Sequence, residues 1–317
     1  MTKYVVSGYI GFDNFGDEAI AGVLTENLKK NGAEKITLIS SNPSKTSKLY
    51  GVNSVGMFGF LKPIMETDVL ISGGGSLLQD VTSLKSLVYY LGIIITALFF
   101  RKKVVIFAQG FTPFRTKLGK LLTKFVLKNC YKITVRDKES QKLLDEMGIE
   151  STLTCDPVFG VTIPPVEKRG IGLQLRSFPT LTDEFLEKLI SEIKLRFPGQ
   201  ELKLISLQDN IDLPVLEKFE GKILKNLTVE EAIKEISSLE YLIGMRFHAC
   251  LIATKAGVKV LGINYDKKVE TLAHEVGFPL VNLDNEDLSD GFKKIDKLNP
   301  NEYNIPEFSI SNLQKHL

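Results

Sequence analysis

An arginine and a histidine lie close together in the second half of the chain, between an apolar run and a helical pattern. The segment Gly244–Ala249 reads GMRFHA and follows the apolar run Leu239–Ile243, which is typical of a buried parallel strand. Arg246 and His248 are therefore expected at the carboxyl end of a strand and the start of a helix, where open α/β sheets bind ligands and anions are attracted. We interpret His248 as a catalytic or anion-binding residue; the alternative is a helix cap or a core histidine.

Three more cations follow predicted strands in the same way. Arg136 ends the run TVR, Arg176 ends GLQLR, and Lys268 lies in NYDKKV, 20 residues after His248. Guanidinium groups pair with carboxylates and phosphates through two parallel hydrogen bonds. Together with Arg246, these cations predict a site for a small substrate that carries several negative charges, with Arg136 and Lys268 as the first candidates.

Two glycine-rich segments also end predicted strands. Gly8–Glu18 reads GYIGFDNFGDE and Ser72–Asp80 reads SGGGSLLQD. Glycines at such positions allow the backbone to approach a ligand closely, and successive amides can bind an anion or a sugar oxygen. Neither segment has the spacing of a dinucleotide-binding loop or the lysine of a P-loop.

Polar residues of these loops are candidates for binding sugar hydroxyls. The predicted set is Asn14, Gly74, Gly75, Gln79, Asp80 and Gln109. Asp17 is a second candidate for acid/base chemistry, and the alternative is a tight loop in which Asp17 only caps the first helix.

The surrounding pattern predicts the elements that position these residues. Apolar runs alternate with helical stretches in both halves, which predicts an α/β protein with two doubly wound, Rossmann-like domains facing a cleft. The polar segment Val161–Arg169, with two prolines, separates the halves. We therefore predict an N-terminal domain over 1–163, a C-terminal domain over 170–300, and a tail over 301–317 in which Ser311–Leu317 forms a short helix that packs back on the first domain.

Composition excludes several classes of protein. The 317 residues are 44% hydrophobic and 25% charged, with a net charge of +2, so nothing points to nucleic acid. The three cysteines stand apart in apolar contexts, and no metal-ligand spacing is present. With no recognisable signal peptide, the sequence predicts a cytoplasmic protein without a metal.

One segment raises the question of membrane contact. Leu87–Phe100 (LVYYLGIIITALFF) is almost wholly apolar and is followed by Arg101, Lys102 and Lys103. It is shorter than the ~20 residues that a spanning helix needs. We expect a fully buried helix packed on a sheet; the alternative is a helix that lies against the membrane surface, with the basic triplet on lipid headgroups.

Taken in order along the chain, these motifs resemble the polysaccharide pyruvyl transferase family, in particular its bacterial cell-surface-polymer branch. The matching pieces are GYIGFDNFGDEA, SGGGSLLQD, AQG, TVRD, CDPVF, GLQLR, GMRFHA and NYDKKV. The chain departs from the family at Phe247, often leucine there, and at Lys267, often proline, and neither change removes a charge.

The resemblance implies a glycosyltransferase-B-like fold and a specific reaction. Pyruvate would pass from phosphoenolpyruvate to two hydroxyls of a sugar, giving a cyclic ketal in a cell-surface glycan precursor, with no cofactor. It implies that His248 and Asp17 are catalytic, that Arg136, Lys268, Arg176 and Arg246 bind phosphoenolpyruvate, and that the first domain binds a sugar acceptor on a lipid carrier.

Two other functions fit the residues. A nucleotide-sugar glycosyltransferase would share the fold and the strand-end glycine loops. A sugar- or anion-binding protein without enzymatic activity would keep the cations but would not need His248.

Overall fold

Two parallel sheets organise the chain. The computed structural model describes residues 2–81, 83–283 and 288–308. Its contacts divide these residues into unit 1, which holds residues up to Val161 together with residues 307 and 308, and unit 2, residues 162–306. The predicted helix over Ser311–Leu317 lies outside the described residues.

Seven parallel strands form the sheet of unit 1, in the order β3-β2-β1-β4-β5-β6-β7. Their bounds are Lys3–Ser7 (β1), Lys35–Ser40 (β2), Asn53–Gly56 (β3), Val69–Ser72 (β4), Lys103–Gln109 (β5), Lys132–Val135 (β6) and Thr152–Leu153 (β7). The connecting helices are Phe15–Lys30 (α1), Pro43–Tyr50 (α2), Leu61–Glu66 (α3), Leu84–Phe99 (α4), Lys117–Leu127 (α5) and Lys138–Glu146 (α6).

Alternate residues of these strands face two separate cores. On one face, Leu70 of β4 and Ile106 of β5 pack with buried residues of α3, α4, α5 and α6. On the other, Val6 of β1 and Ile71 of β4 pack with Leu24 of α1. Burial on both faces is why the strands read as continuous apolar runs.

Unit 2 repeats this winding with six parallel strands, in the order β10-β9-β8-β11-β12-β13. The strands are Ile171–Gln174 (β8), Leu202–Ile205 (β9), Lys222–Leu224 (β10), Tyr241–Gly244 (β11), Lys259–Asn264 (β12) and Leu280–Asn282 (β13). The helices are Asp183–Arg196 (α7), Asp209–Leu216 (α8), Val229–Ser237 (α9), Phe247–Lys255 (α10), Lys267–Val276 (α11) and Leu288–Lys297 (α12). Helix α10 lies between α9 and α11 and packs on β11 and β12.

The predicted fold class is confirmed: both halves are doubly wound α/β structures. Seven short elements were absent from the predicted pattern, namely β3, α2, α3, β7, β10, α8 and α12. Six of them are short or polar, so hydrophobic periodicity gives little signal. Helix α12 is the exception, because its buried residues Leu288, Phe292 and Ile295 recur at helical spacing. The expectation of a fully buried helix after residue 84 was wrong, because α4 buries Leu87 and Ile94 while Val88 and Phe99 are exposed.

Candidate functional site

Three neighbouring strands of unit 2 bring Arg176 and Arg246, two of the predicted cations, to one edge of their sheet. In the register of the sheet, Gly244 at the end of β11 lies opposite Gln174 at the end of β8 and opposite Gly262 of β12. Arg176, Arg246 and Tyr265 follow these strands directly. The carboxyl ends of parallel strands are where open α/β sheets bind ligands.

Arg246 belongs to a buried network. Its Nε and Nη2 donate to the Asp212 carboxylate at 3.0 and 2.6 Å, and its Nη2 also donates to Gln208 Oε1 at 3.2 Å. Its backbone N–H donates to Gln174 Oε1 at 2.7 Å. Asp212, completely buried, also accepts from the N–H groups of Leu207 and Gln208 at 2.9 and 3.0 Å. These bonds fix the guanidinium at the end of β11 and leave its Nη1 outside the network.

Arg176 has a different environment. Its Nη1 donates to the Tyr265 hydroxyl at 3.4 Å, and its guanidinium carbon lies 5.4 Å from the centre of the Tyr265 ring. Within the described residues, no carboxylate lies within ion-pair distance of Arg176, and its buried Nε has no hydrogen-bond partner. Arg176 is therefore better able than Arg246 to accept a new anion.

Tyr265 joins these two arginines electrostatically. Burial raises the pKa of its hydroxyl, while the charge and hydrogen bond of Arg176 and the charge of Arg246 act in the opposite direction. The Phe178 ring packs edge-on against it, with ring centres 5.0 Å apart. The phenol therefore stays protonated at neutral pH and holds Arg176 in place. Sequence reasoning missed Tyr265, although the aromatic residue stands between Asn264 and Asp266 in a quoted motif.

His248 and Lys268 begin the two helices that leave this edge. His248 is the second residue of α10, after Phe247, and the N-cap residue is Arg246, so His248 is not a cap. It is half-buried; its Nε2 is shielded from solvent and its ring meets Phe247 edge-on at 4.9 Å. Lys268 is half-buried in the first turn of α11, and its N–H donates to Asp266 Oδ1 at 3.0 Å.

In unit 1, a β-bulge reshapes the end of β5. The register between β5 and β6 shifts between Ile106 and Gln109, and Ala108 has a positive φ of 45°. The buried Gln109 side chain consequently donates to Ser72 Oγ at 2.8 Å and to the Gly73 carbonyl at 2.9 Å. Bulges of this kind are common beside functional sites. Through these two bonds, Gln109 attaches the triple-glycine loop to the sheet.

Asp17 lies where that loop meets the first helix. Gly75 has a φ of +90°, and a Cβ added there would stand 2.8 Å from Asp17 Oδ1, so only glycine allows this approach. Gly74 and Asp17 line a small recess of about 10 Å³, together with Gly8 and Tyr9. The Tyr9 ring stacks on Phe12 with centres 4.1 Å apart. Burial and the charge of Asp17 raise the pKa of the Tyr9 hydroxyl.

Arg136 is buried at the same edge of unit 1. Its Nη1 donates to Asp156 Oδ2 at 2.8 Å, and its Nε lies 3.6 Å from Asp137 Oδ2. A Cβ at Gly110 would lie 2.8 Å from Arg136 Nε, so that glycine makes room for the guanidinium. Arg136 thus belongs to unit 1, whereas Arg176, Arg246 and Lys268 belong to unit 2.

Three predicted acceptor ligands have structural partners. Asn14, and not Asp17, caps α1: its Oδ1 accepts from the N–H groups of Gly16 and Asp17 at 3.1 and 3.4 Å. Gln79 Oε1 accepts from the Val81 N–H at 2.7 Å. The Asp80 carboxylate accepts from the N–H groups of Arg115 and Thr116 and from the Thr116 hydroxyl at 2.7, 2.8 and 2.6 Å.

These bonds give Asp80 a structural role. Burial acts to raise its pKa, but the three donors outweigh it, so the pKa of the carboxyl lies below its usual value. The ionised group holds the start of α5. Acceptor binding by Asn14, Gln79, Asp80 or Gln109 stays a prediction.

Two buried carboxylates of the site were not predicted from the sequence. Asp156 and Asp212 lie 20 and 34 residues from the arginines that they bind, and neither follows a predicted strand in a glycine-rich motif. The DPV sequence around Asp156 was part of a quoted motif and offered the only signal.

The described residues contain no group of three His, Cys, Asp or Glu side chains that would hold a metal ion. Burial raises the pKa of the Cys130 and Cys250 thiols to about 12, which keeps both protonated. No helix among the described residues is both long and apolar enough to span a membrane.

Two doubly wound units with cations and glycine loops at their strand ends define a glycosyltransferase-B-like α/β protein, and solved structures agree. UDP-GlcNAc 2-epimerase from Methanocaldococcus jannaschii is similar over 100% of both chains, with a TM-score of 0.67 and 11% identity. The Neisseria meningitidis UDP-GlcNAc 2-epimerase, bound to UDP-GlcNAc, covers 95% of this chain and 94% of its own, with a TM-score of 0.62 and 12% identity. Anabaena Alr3699/HepE in complex with UDP-glucose covers 100% and 92%, with a TM-score of 0.59 and 12% identity. At these identities the likeness concerns the fold alone.

The sequence itself identifies the family. The profile of the polysaccharide pyruvyl transferases matches residues 14–267, and the chain belongs to that family. The predicted resemblance is thereby confirmed, and pyruvyl transfer in polysaccharide biosynthesis is the general activity that it supports. No curated protein matches the sequence.

Proposed function

We propose that this protein transfers the pyruvyl group of phosphoenolpyruvate to two hydroxyls of a sugar in a cell-surface glycan precursor and so forms a cyclic ketal. Family membership supports the pyruvyl transfer. The observation that carries the choice of donor is the Arg176 guanidinium beside Tyr265, which has no carboxylate partner among the described residues. A trianionic donor needs such a cation, because arginine matches carboxylate and phosphate oxygens in pairs.

The donor site in this proposal is the strand-end edge of unit 2. Arg176 and Lys268 bind the phosphate and the carboxylate, and Nη1 of Arg246, which takes no part in the bonds to Asp212 and Gln208, adds a third contact. The network around Asp212 keeps Arg246 from moving when the ligand binds, which lowers the cost of ordering the site. Arg136 also remains a proposed donor ligand, although it lies in unit 1 and is already paired with Asp156.

The reaction needs acid and base at one reacting carbon. A sugar hydroxyl adds to C2 of phosphoenolpyruvate while the methylene carbon C3 accepts a proton and becomes a methyl group. The C2–O bond to phosphate then breaks, and a second hydroxyl adds to C2 and closes the ketal. Two hydroxyl protons are released; one balances the proton on C3, and the other leaves with phosphate or solvent. We assign the proton transfers to His248 and Asp17, because histidine and carboxylate side chains are common general acid/base groups.

The acceptor site in this proposal is the surface of unit 1 around the mouth of this small recess. Asp17 orients or deprotonates a hydroxyl, the amides of Gly74 and Gly75 offer donors, and the partly exposed Tyr9 ring gives an apolar wall for a sugar face. Asn14, Gln79, Asp80 and Gln109 stay proposed ligands of the acceptor, with the structural partners described above. We propose a lipid-linked acceptor and a cytoplasmic location.

The first experiment tests whether phosphoenolpyruvate is the donor. Purified protein is incubated with phosphoenolpyruvate and sugar acceptors, and released phosphate and the mass of the product are measured. Stoichiometric phosphate and a product heavier by one pyruvyl ketal are expected. A sugar-binding protein without activity would give neither.

Two pairs of variants then test the assigned residues. His248→Asn is expected to lower kcat by about 10²–10⁴, the usual contribution of a general acid/base, while His274→Asn on the exposed face of α11 changes nothing. Arg176→Lys is expected to weaken phosphoenolpyruvate binding in calorimetry because the paired geometry is lost, while Arg169→Lys at an exposed position does not. Equal activity in His248→Asn and His274→Asn, with both folded, contradicts the catalytic assignment.

A nucleotide-sugar-dependent transferase is the second candidate. It is favoured by the similar structures, which are described in complex with UDP-GlcNAc and UDP-glucose. Calorimetric titration separates the two: tight binding of UDP, with no phosphate released from phosphoenolpyruvate, would favour the nucleotide sugar.

A further inference from the structure

The α4–α5 region has an unusual charge distribution. From residue 81 to residue 136 the sequence holds 11 lysines and arginines but no aspartate or glutamate. The whole chain has a net charge of only +2, so the rest of it is net negative. Positive charge is therefore concentrated in this segment of unit 1.

The same helices expose apolar side chains at helical spacing. We call these residues the α4–α5 face: Leu84, Val88, Ile95 and Phe99 of α4, and Leu118, Leu121, Leu122 and Phe125 of α5. In each helix they recur at intervals of three, four or seven residues, so they form one stripe. Phe99 and Phe125 are 78% and 69% exposed.

Both stripes point away from the sheet. The opposite sides of α4 and α5, with Ile94 and Val126 as examples, pack in one core on the same face of the sheet. The two helices also pack against each other. Gly92, within the α4 stripe, faces open space where a Cβ would meet nothing within 4 Å. The stripes therefore lie side by side on the outer surface.

Lysines accompany the apolar stripe of α5. Lys117, Lys120, Lys124 and Lys128 recur every three or four residues along the helix, and Arg101 lies exposed just beyond α4. Helix α7 of unit 2 shows the usual arrangement, in which Lys188 pairs with Glu184 at 3.0 Å. Helix α5 has no acidic residue, so its lysines suit an anionic partner outside the protein.

We propose that the α4–α5 face docks on an anionic lipid bilayer, with Leu121, Phe125 and Phe99 among the acyl chains and the lysines at headgroup phosphates. Apolar residues flanked by lysines are the pattern of helices that lie in the membrane interface. A second copy of the chain fits less well, because a symmetric contact would bring two rows of lysines together. The proposal concerns a surface apart from the strand ends and does not depend on the donor substrate.

The role of α5 distinguishes this proposal from a contact made by residues 87–103 alone. Helix α5 supplies four exposed apolar residues and three lysines, and its C-cap residue Lys128 adds a fourth, whereas the Arg101–Lys103 triplet adds charge at one end only. Substitutions in α5 are therefore expected to weaken binding more than substitutions in the triplet.

Flotation of the full chain with vesicles tests the proposal. Vesicles of phosphatidylcholine with 30% phosphatidylglycerol (about a third anionic lipid) are compared with pure phosphatidylcholine at low and high salt. The wild type is expected to float with the anionic vesicles at low salt and to dissociate as salt rises, because surface charges are screened.

Matched variants locate the contact. The triple variant Leu118→Ser, Leu121→Ser, Phe125→Ser and the quadruple Lys→Gln variant at 117, 120, 124 and 128 are each expected to lower the partition coefficient at least tenfold. Changing Arg101, Lys102 and Lys103 to Gln should lower it less. Leu195→Ser and the exposed lysines 218, 222 and 225 changed to Gln, all in unit 2, are the controls and should bind as the wild type does. All positions are at the surface, and thermal unfolding confirms that each variant folds.

Three results would overturn the proposal. The wild type could stay unbound with anionic vesicles at low salt. The unit 2 controls could lose as much binding as the α5 variants. Ultracentrifugation could show a dimer that the Leu118, Leu121 and Phe125 substitutions dissociate, which would make the face a contact between copies. Phosphate release with a water-soluble acceptor should be unchanged in the α5 variants, so loss of docking and failure of the proposed chemistry are distinguished.

Discussion

Helices α4 and α10 occupy equivalent places in their units, yet their surroundings differ. Each connects the first two strands beyond the centre of its sheet, β4 to β5 and β11 to β12, and each lies between two other helices of the same face. Both are apolar. All residues of α10 from Ala249 to Thr254 are buried, whereas α4 exposes four large apolar side chains. The comparison teaches that topology alone does not decide whether an apolar helix is covered.

Their neighbours continue the contrast. Helix α11 buries Val269, Leu272 and Val276 and presents polar residues outward, as a surface helix of a globular protein does. Helix α5, in the equivalent position, exposes Leu121 and Phe125. Large exposed apolar patches generally mark interaction surfaces, so we take the helix layer of unit 1 as a binding surface and that of unit 2 as ordinary exterior.

The strand ends of the two units also differ in how much a buried arginine–aspartate pair stabilises them. The pairs are Arg246–Asp212 in unit 2 and Arg136–Asp156 in unit 1. Asp212→Ala is expected to destabilise unit 2 by about 3–5 kcal/mol, because Arg246 would stay buried without its partner. Asp156→Ala in unit 1 is expected to cost less, since Arg136 keeps Asp137 at 3.6 Å. Hydrogen exchange followed by mass spectrometry reads each unit separately, and equal loss of protection in the two variants would remove the contrast.

The two apolar helices offer the next test. Leu251→Ala in α10 removes a fully buried side chain, and we expect a loss of about 2–5 kcal/mol in the free energy of unfolding. Ile95→Ala in α4 removes a side chain that is 49% exposed, and we expect a loss below about 1 kcal/mol. Urea denaturation monitored by circular dichroism gives both values; similar losses would mean that α4 is as well packed as α10.

Asp80 links the glycine loop of unit 1 to α5, and its effect should depend on pH. Its lowered pKa means that the ionised carboxylate stabilises the folded state above the ordinary pKa of 3.8, and that this contribution is lost as pH falls through the folded value. Asp80→Asn is expected to lower the free energy of unfolding by about 1–3 kcal/mol at pH 7. The difference in stability between the variant and the wild type should disappear in acid. Melting temperatures measured from neutral pH down to roughly pH 2, well below the ordinary pKa of 3.8, test this. Asp290→Asn, an exposed carboxylate of unit 2, serves as the control and should change little.

The smallest effect is expected at Gly75. Gly75→Ala should cost about 1–2 kcal/mol from its positive φ and also displace Asp17, so activity should fall more than stability. Gly199→Ala in unit 2 has a similar φ of +75° with open space around it, and it should show the strain without loss of activity. Equal activity in the two variants would argue against a role for the Asp17 recess.

Sequence patterns predicted much of the fold because parallel strands leave a strong signal. The run VLIS of β4 and the apolar residues of α10 are unambiguous, since both are buried on all sides. Helix α8 was not predicted: its sequence DNIDLPVL contains an internal proline and little periodicity. The exposed apolar stripe of α4 could not be predicted either, because an apolar sequence does not show whether a neighbouring element covers the helix.

The site was predictable only where residues stand at strand ends. Arg246 and His248 stand directly after an apolar run, so their place was clear. Their surroundings were not, because Asp212 and Tyr265 reach Arg246 and Arg176 only after the strands are aligned. Asp80 was interpreted from its loop as a sugar ligand, and its bonds to Arg115 and Thr116 depend on a helix start 36 residues further along the chain.

The return of the chain to unit 1 bears on how the protein is synthesised. Residues 307 and 308 follow unit 2 but belong to unit 1, where Phe308 meets the Phe107 ring edge-on at 6.3 Å and lies against Gly160. On the ribosome, unit 1 therefore lacks this contact until the whole of unit 2 has been translated. The unit that begins first is completed last, and a nascent chain stopped before residue 307 would leave Phe107 without this neighbour.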